Sequence, residues 1–278
     1  MGYFIGTVEY FNCYSFLDWQ VMPNLTVDAF FDGSEIDTAL VEEKIEQDER
    51  SRSELSHDAY ESEGTRILSD IKSLYSTLEM VNKNYDILVE QRDEFTDKSI
   101  DYWIAKPERE MQDFFKEYVR RLHNYTASVH TLTHQTYTFF DRYGDRAPNL
   151  KSTYSGELNR RNFEVKVNLI KQIRHYIQKY WEPPLGANLG TSEDRGEYME
   201  LYLEKEEMLE KGSWTSGPRE FLESLDEEII ITRLAEDYQQ EVNEVYEWFR
   251  PIIINEFSDE LLDAITAQFI LEEERLSS

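Results

Sequence analysis

The chain has 278 residues, a formal net charge of −28 and 40% hydrophobic residues. This length allows one or two domains with a sizeable core, and the hydrophobic content excludes a wholly disordered chain. The single cysteine, Cys13, excludes an intrachain disulfide, and no apolar run approaches the ~18 residues that a membrane span needs.

The chain combines many acidic residues with few lysines. It has 57 Asp and Glu against 29 Lys and Arg, of which 12 are Lys. Molar salt shortens the Debye length to about 3 Å, so carboxylates barely repel one another there. We therefore interpret the composition as adaptation to a high-salt cytoplasm. A DNA-mimicking surface is the competing interpretation, and it is disfavoured because the acids are spread along the whole chain. Residues 1–19 lack the basic start of a secretory signal, which favours a cytoplasmic location.

The first 64 residues divide into two parts of different composition. Residues 1–35 are aromatic and interrupted by Pro23, Asn24 and Gly33, which predicts either short strands or a packed arm. Residues 36–64 are polar and charged, which predicts either a solvated helix or a linker. We expect an N-terminal arm and linker over residues 1–64, and a helical domain with a C-terminal helical extension over residues 65–278.

Three long helices are predicted next, because apolar residues recur at three- and four-residue steps. The first begins near Thr65, and the second spans residues 107–143. The third spans residues 162–181 and ends there, because the Pro183-Pro184 pair that follows cannot continue a helix.

The C-terminal third mixes short elements with two further helices. Their predicted order is a glycine-rich loop (186–196), a strand (198–203), two short helical pieces (208–225), a long helix (226–249) stopped near Pro251, and a last helix (258–275). The fold is therefore predicted to be mainly α, a bundle of long antiparallel helices with short irregular or strand pieces at the N-terminus and in the middle.

One stretch of the chain is basic. Residues 116–181 carry 12 Lys and Arg and five Asp and Glu, about +7, so the other 212 residues sum to about −35. Tyrosines and Trp181 are interleaved with the cations. Positive charge beside rings that can stack suits a nucleic acid with exposed bases, and Arg120, Arg121 and Trp181 are candidate contacts to it. The alternative is that two core helices happen to be basic.

The helix over residues 162–181 has the most informative polar face. Lys171, His175 and Lys179 are spaced i, i+4 and i+8 and form one ridge, with Arg174 and Gln178 beside it. An Arg can hold a phosphate through two parallel hydrogen bonds, and a His can transfer a proton near neutral pH. The ridge therefore predicts phosphate binding, and a solvated helix face is the alternative.

The run from Lys171 to Pro184, KQIRHYIQKYWEPP, resembles the signature helix of the HEPN superfamily. These proteins are small α-helical bundles, many of them metal-independent ribonucleases or RNA-binding modules. The family hallmark is an Arg, a polar residue, three further residues and a His. Arg174 matches the Arg and His175 the polar residue, whereas Lys179 stands where the family has its His. The similarity covers roughly residues 65–250.

The resemblance implies a reaction and an assembly. In the family, the 2′-hydroxyl of RNA attacks the adjacent phosphate, with the His transferring the proton and the Arg stabilising the phosphate. Two such helices usually face each other across a homodimer, and no metal or other cofactor is required.

The Lys at position 179 changes what is expected of this site. Lys179 could transfer a proton only with a pKa far below ~10.4. Alternatively, His175 could act as the base in a shifted geometry. Arg174, His175 and Lys179 are the candidate catalytic residues, Lys171, Arg174 and Gln178 are candidate phosphate ligands, and phosphate binding without cleavage is the expected outcome.

A second set of candidates lies on the preceding helix. His123, His130 and His134 share one face, but His123 and His134 lie ~16 Å apart along the axis, which excludes one shared zinc ion. His130 and His134 lack an obvious third ligand, so no metal site is predicted. Hydrogen bonding between packed helices is the simplest interpretation, and alternatively Asn124 or His134 could line the same cleft as Arg174.

These observations predict a HEPN-like protein that binds RNA or a nucleotide through the helix carrying Arg174 and Lys179, with lost or weakened ribonuclease activity. The resemblance also implies a homodimer and a role in a defence or toxin system. Two alternatives stay open: an active metal-independent endoribonuclease with a remodelled site, and a non-enzymatic helical module of a halophile that binds an acidic protein partner. No membrane partner is expected.

Overall fold

The computed structural model describes residues 38–180, 183–192 and 196–277, and it confirms the prediction of a mainly α fold. The predicted N-terminal arm over residues 1–35 lies outside the described residues. Among the helices that are described, none is both long enough and apolar enough to cross a lipid bilayer.

The elements are named here in chain order. They are α1 (Thr38–Glu46), α2 (Arg52–Tyr60), α3 (Glu63–Thr96), α4 (Ile100–Ile104), α5 (Glu108–Tyr143), α6 (Leu150–Arg160), α7 (Phe163–Tyr180), β1 (Leu185–Ser192), β2 (Gly196–Glu204), α8 (Lys205–Lys211), α9 (Ser216–Ser224), β3 (Glu228–Ile230), α10 (Ile231–Glu256) and α11 (Ser258–Ser277). The described chain divides into two compact units, residues 38–65 with 259–277 and residues 66–258.

In the first of these units, the polar segment over residues 38–64 is helical, which confirms one of its two interpretations. Helix α2 begins with a capping box, in which Ser51 Oγ accepts from the Glu54 N–H and the Glu54 carboxylate accepts from the Ser51 N–H at 2.8 Å. Leu55 and Ala59 of α2 pack with Ala267 of α11. The charged surface of this segment therefore covers a small apolar core.

In the unit of residues 66–258, α5 packs lengthwise against α7. Leu122, Val129 and Leu132 of α5 are buried, as are Ile173 and Ile177 of α7. Burying each such side chain contributes about 1.5–3 kcal/mol. The two long helices predicted for these residues are therefore confirmed, and their apolar stripes hold them side by side.

Helix α10 fixes the position of α5 through tyrosine hydroxyls. Tyr125 Oη donates to the Ala235 carbonyl at 3.2 Å, and the Tyr246 hydroxyl pairs with Thr136 Oγ1. Tyr75 of α3 donates to the Tyr246 carbonyl at 2.9 Å. These buried polar groups are satisfied between helices, so α5 has little freedom to rotate about its axis.

The predicted glycine-rich loop is wrong, because Leu185–Ser192 is strand β1. It pairs antiparallel with β2, with Gly186 opposite Tyr202 and Gly190 opposite Tyr198. A Cβ built on Gly186 would lie 2.4 Å from Tyr202 Cζ. The glycines thus leave room for tyrosine rings from the neighbouring strand, a requirement that is invisible in a local reading of the sequence. The predicted strand over 198–203 is confirmed within β2.

Two further helix predictions need correction. The helix expected to stop near Pro251 continues to Glu256, with an exposed Pro251 inside α10. A proline inside a helix costs about 3 kcal/mol, and burial of Ile253 and Ile254 in the following turn offsets this cost. Helix α6 was not predicted, although Leu150, Tyr154 and Leu158 recur at four-residue steps and are all buried.

Candidate functional site

Most cations of the basic stretch are neutralised by carboxylates. Eight of its twelve Lys and Arg form ion pairs: Lys116 with Asp113, Arg120 and Arg121 with Glu117, Arg142 with Asp70, Lys151 with Asp141, Arg160 with Glu157, Arg161 with Glu157 and Glu244, and Lys166 with Glu241. Arg146 also has a partner. Lys171, Arg174 and Lys179 form no ion pair within the described residues, and all three lie on α7.

Arg120 and Arg121, two of the predicted phosphate contacts, share the Glu117 carboxylate. The Arg120 Nη2 and Arg121 Nε atoms lie 2.6 and 2.9 Å from Glu117 Oε1, and these hydrogen bonds lower the pKa of Glu117 to about 2. Arg121 also donates to the Ile87 carbonyl at 2.9 Å. Because it precedes His130 by nine residues, Arg121 lies on the opposite side of α5, about 180° around its axis.

The α5–α7 seam is the surface where these two helices pack side by side, and it carries His123, His130 and His134 from α5 and Lys171, Arg174 and His175 from α7. The imidazole rings of His130 and His175 approach across the seam, with centroids 6.4 Å apart and planes inclined by 63°. His123 lies seven residues before His130, about two turns along the same face. The seam therefore collects positive and ionisable groups from both helices.

Arg174 acts electrostatically on two of the α5 histidines. Burial lowers the pKa of His130, and the positive charges of Arg174 and Lys171 lower it further. Burial also lowers the pKa of His123, with Arg174 acting in the same direction and a hydrogen bond with Asn124 opposing it. Burial lowers the pKa of Lys171 as well. The seam thus combines histidines of lowered pKa with the basic side chains of α7.

Two buried polar atoms in the seam have no hydrogen-bond partner in the part of the chain that the structure describes. They are Nη1 of Arg174 and Nδ1 of His130. Leaving a buried polar group without a partner costs about 1–3 kcal/mol, and more for a charged group. Most buried polar groups in folded proteins are satisfied. Arg174 and His130 therefore each keep a buried polar atom that no group of the described chain satisfies.

The remaining predicted site residues on α7, Lys179 and Gln178, differ in their position around the helix. Lys179 follows Arg174 by five residues, about 140° around the helix. Its side chain is exposed, with Nζ 4.9 Å from the centroid of the Tyr180 ring. Gln178 is also exposed, about 40° from Arg174. Lys179 thus lacks the burial that proton transfer by a lysine requires, and Trp181 lies outside the described residues.

A different side of α7 is fixed by the segment that contains α8 and α9. Gln172 Nε2 donates to Thr215 Oγ1 at 2.6 Å, and Gln172 Oε1 accepts from the Thr215 N–H at 2.9 Å. The Tyr176 and Trp214 rings are stacked with centroids 6.0 Å apart, and burial raises the pKa of Tyr176 to about 12. These contacts hold α7 in one orientation and so fix where Arg174 points.

A small cavity adjoins the seam between α5, α6, α7 and α10. Lys171, Glu164 and Asn168 line it from α7, and the Thr133 and Tyr137 side chains line it from α5. Its volume is about 30 Å³, enough for one or two water molecules and too small for an organic ligand. A larger ligand would therefore contact the surface of the seam.

No group of three His, Cys, Asp or Glu side chains among the described residues is placed to hold a metal ion. Asn124 is exposed and forms a hydrogen bond with His123, and His134 is exposed. The sequence predicts Asn124 and His134 as cleft-lining residues, and this stays a prediction. The pKa values of His123 and His130 are lowered by burial and by the charge of Arg174, and their seven-residue spacing was the signal that they share a face of α5.

Comparisons with protein-family models, with curated proteins and with solved structures find no match for this chain. The geometry of the seam and the chemistry of its side chains are therefore the basis for a functional assignment.

Proposed function

We propose that this protein binds RNA or a nucleotide at the α5–α7 seam, as a HEPN-like protein whose ribonuclease activity is lost or weakened. The observation that carries the proposal is the state of Arg174. Its guanidinium forms no ion pair within the described residues, and its buried Nη1 has no hydrogen-bond partner. In a chain with a net charge of −28, an arginine that no nearby carboxylate neutralises suits an anionic ligand.

Phosphate is the anion that these groups fit best. A guanidinium binds phosphate through two parallel hydrogen bonds, and such charge-assisted bonds are about twice as strong as neutral ones. Lys171 adds a second positive charge one turn away, and the imidazole of His130 can donate a further hydrogen bond. Exposed His175 and Gln178 stand at the edge of the same surface.

Weak or absent cleavage follows in this proposal from the position of Lys179. Its exposed ammonium lies about 140° from Arg174 around α7, beside the Tyr180 ring, and lacks the burial that a lysine needs to act as a proton-transfer group. Binding alone needs no proton transfer, and the cations and hydrogen-bond donors of the seam suffice for it. A cytoplasmic location at high salt and a homodimer in which two α7 helices face each other belong to the same proposal.

A specific observation favours active cleavage as the second candidate function. His130 and His175 face each other with ring centroids 6.4 Å apart, and two imidazoles beside one phosphate can serve as general base and general acid. In that case the 2′-hydroxyl loses its proton to one imidazole and attacks the phosphorus. The other imidazole protonates the departing 5′-oxygen, which leaves a 2′,3′-cyclic phosphate.

One experiment tests both candidates. Purified protein is incubated with labelled single-stranded RNA in molar KCl with EDTA, and binding and cleavage are measured together. Binding that Arg174→Ala weakens by roughly 10- to 100-fold and that leaves the RNA intact is the expected result. Cleavage with 2′,3′-cyclic ends, lost in Arg174→Ala, would favour the ribonuclease.

The matched control is Arg160→Ala. This arginine belongs to the same basic stretch and is exposed, but Glu157 neutralises it on α6. Its removal changes the net charge as much as Arg174→Ala does and should leave binding unaltered. If wild-type protein neither binds nor cleaves RNA or nucleotides, the proposed function is wrong and an acidic protein partner becomes the better explanation of the seam.

A further inference from the structure

Within the described residues, the cations of residues 116–181 that form no ion pair are concentrated on α7. They do not form a continuous row along the surface. Lys171 and Arg174 lie one helical turn apart on α7. Earlier in the chain, Arg161 before α7 and Lys166 in its first turn are held by carboxylates of α6 and α10. Proteins that follow a nucleic-acid strand use a row of cations along a groove. The seam has no such row among the residues that the structure describes.

The donors of the seam converge from two helices. Arg174, Lys171 and His175 approach from α7 and His130 approaches from α5, with the two imidazoles 6.4 Å apart. A terminal phosphate presents three free oxygens and a charge near −1.5 to −2 at neutral pH. An internal phosphodiester presents two free oxygens and a single charge. Several converging donors with two fixed cations match the terminal phosphate better.

The adjoining cavity does not take up the rest of the ligand. Of the residues that define the seam, only Lys171 lines this cavity, and at about 30 Å³ it accepts water and not a sugar or a base. Within the inference, the phosphate contacts the seam and the nucleoside lies outside this cavity.

We infer that the α5–α7 seam binds a terminal phosphate monoester, at the end of an RNA strand or on a mononucleotide, in preference to an internal phosphodiester. This inference rests on the proposed function and names its ligand class. Arg174 holds two phosphate oxygens, Lys171 offsets the second negative charge, and the facing imidazoles donate to the remaining oxygen.

Binding of such a dianion is coupled to proton uptake. His130 faces Lys171, Arg174 and His175 from α7 and has His134 on its own helix. Burial and these positive or protonatable neighbours lower the pKa of its imidazole while the seam is empty. An arriving dianion reverses the local field and favours the imidazolium, so His130 takes up a proton as the phosphate binds.

The test compares oligoribonucleotides of one sequence that carry a 5′-phosphate, a 3′-phosphate or hydroxyls at both ends. Adenosine 5′-monophosphate and adenosine form a second pair, which separates a mononucleotide from an RNA end as the source of the phosphate. We expect at least one phosphorylated member to bind about tenfold more tightly than its hydroxyl counterpart. Equal affinity within both pairs would overturn the inference and leave RNA binding in place, whereas no binding in either pair would overturn both.

Two variants and a calorimetric measurement complete the test. Arg174→Lys keeps the charge but loses the paired hydrogen bonds, so it should reduce the preference for the phosphorylated end; Arg160→Ala should not. Titrations in two buffers of different ionisation enthalpy should show proton uptake in the wild type and less uptake in His130→Gln. A preference that Arg174→Lys leaves intact, or uptake that His130→Gln leaves unchanged, would place the phosphate elsewhere.

Discussion

His130 and His175 face each other across two helices, with ring centroids 6.4 Å apart. Burial lowers the pKa of His130, and the positive charge of Arg174 lowers it further. Forty-five residues of chain separate the two histidines, so the packing of α5 on α7 creates the arrangement.

Arg174→Ala should weaken phosphate binding without lowering the free energy of unfolding. A hydrogen bond to a charged group contributes about 1.5–3 kcal/mol, so loss of the guanidinium should weaken phosphate binding by roughly 10- to 100-fold. The free energy of unfolding should stay the same or rise slightly, because the variant removes a buried Nη1 that has no partner. Urea denaturation and RNA titration of the same preparations measure both. A large loss of stability would show that Arg174 is a structural residue.

His130 should make the protein less stable as the pH falls. Its pKa is lowered in the folded state, so the unfolded chain binds a proton more readily, and the stability that this group contributes is present above about pH 6.5 and lost as the pH falls through the folded-state pKa. Urea midpoints from about pH 7.5 to about pH 5.5 measure the effect. His130→Gln should reduce this pH dependence, and equal curves for wild type and His130→Gln would contradict the prediction.

The salt dependence of binding should be shallow. Each phosphate contact to a single strand changes log K by about −0.7 per unit of log salt, so the two cations Lys171 and Arg174 predict a slope of about −1.4. If all the cations of residues 116–181 contacted the strand, the slope would be near −8. Titrations over a series of KCl concentrations distinguish the two, and a slope steeper than about −4 would mean that the ion pairs of this stretch open on binding.

Gly186→Ala should destabilise the sheet, because the new Cβ would lie 2.4 Å from Tyr202 Cζ. We expect a loss of about 1–3 kcal/mol, as for overpacking elsewhere. Gly156→Ala is the contrasting variant: the space around this glycine inside α6 is open, and the change should stabilise the protein by about 0.5–1 kcal/mol.

Thermal and urea unfolding of both glycine variants provide the measurement. Combining Gly186→Ala with Tyr202→Ala should recover part of the loss, since the clash is then absent. A Gly186→Ala variant as stable as the wild type would show that Tyr202 can move aside at no cost.

The long helices could be predicted because their signals are local. Leu122, Tyr125, Val129 and Leu132 recur at the helical period, and that period is fixed by the backbone. The glycines of β1 could not be assigned in this way, because the reason for Gly186 is a tyrosine sixteen residues later on another strand. Several glycines in a short segment normally indicate a loop. Here they form a strand, because the neighbouring strand places tyrosine rings against them.

The candidate site was predicted only in part, because it also depends on contacts between residues that are distant in the sequence. The composition of residues 116–181 shows an excess of cations. It does not show which of these cations form ion pairs with carboxylates. Arg120 and Arg121 lie three and four residues after Glu117, a spacing at which helical ion pairs form, so this pairing could have been expected. The approach of His130 to His175 depends on how α5 and α7 rotate against each other, which the sequence pattern does not specify.

The hydrogen bonds of Gln172 have a consequence for how the protein assembles. Its side-chain oxygen accepts from the Thr215 N–H, the group at the start of α9, although the two residues are 43 positions apart. Helix α9 thus takes its N-terminal cap from α7 and not from its own sequence. It gains this cap only once α7 is in place, so fraying of the first turn of α9, followed by amide hydrogen exchange, would report on any rotation of α7 at the seam.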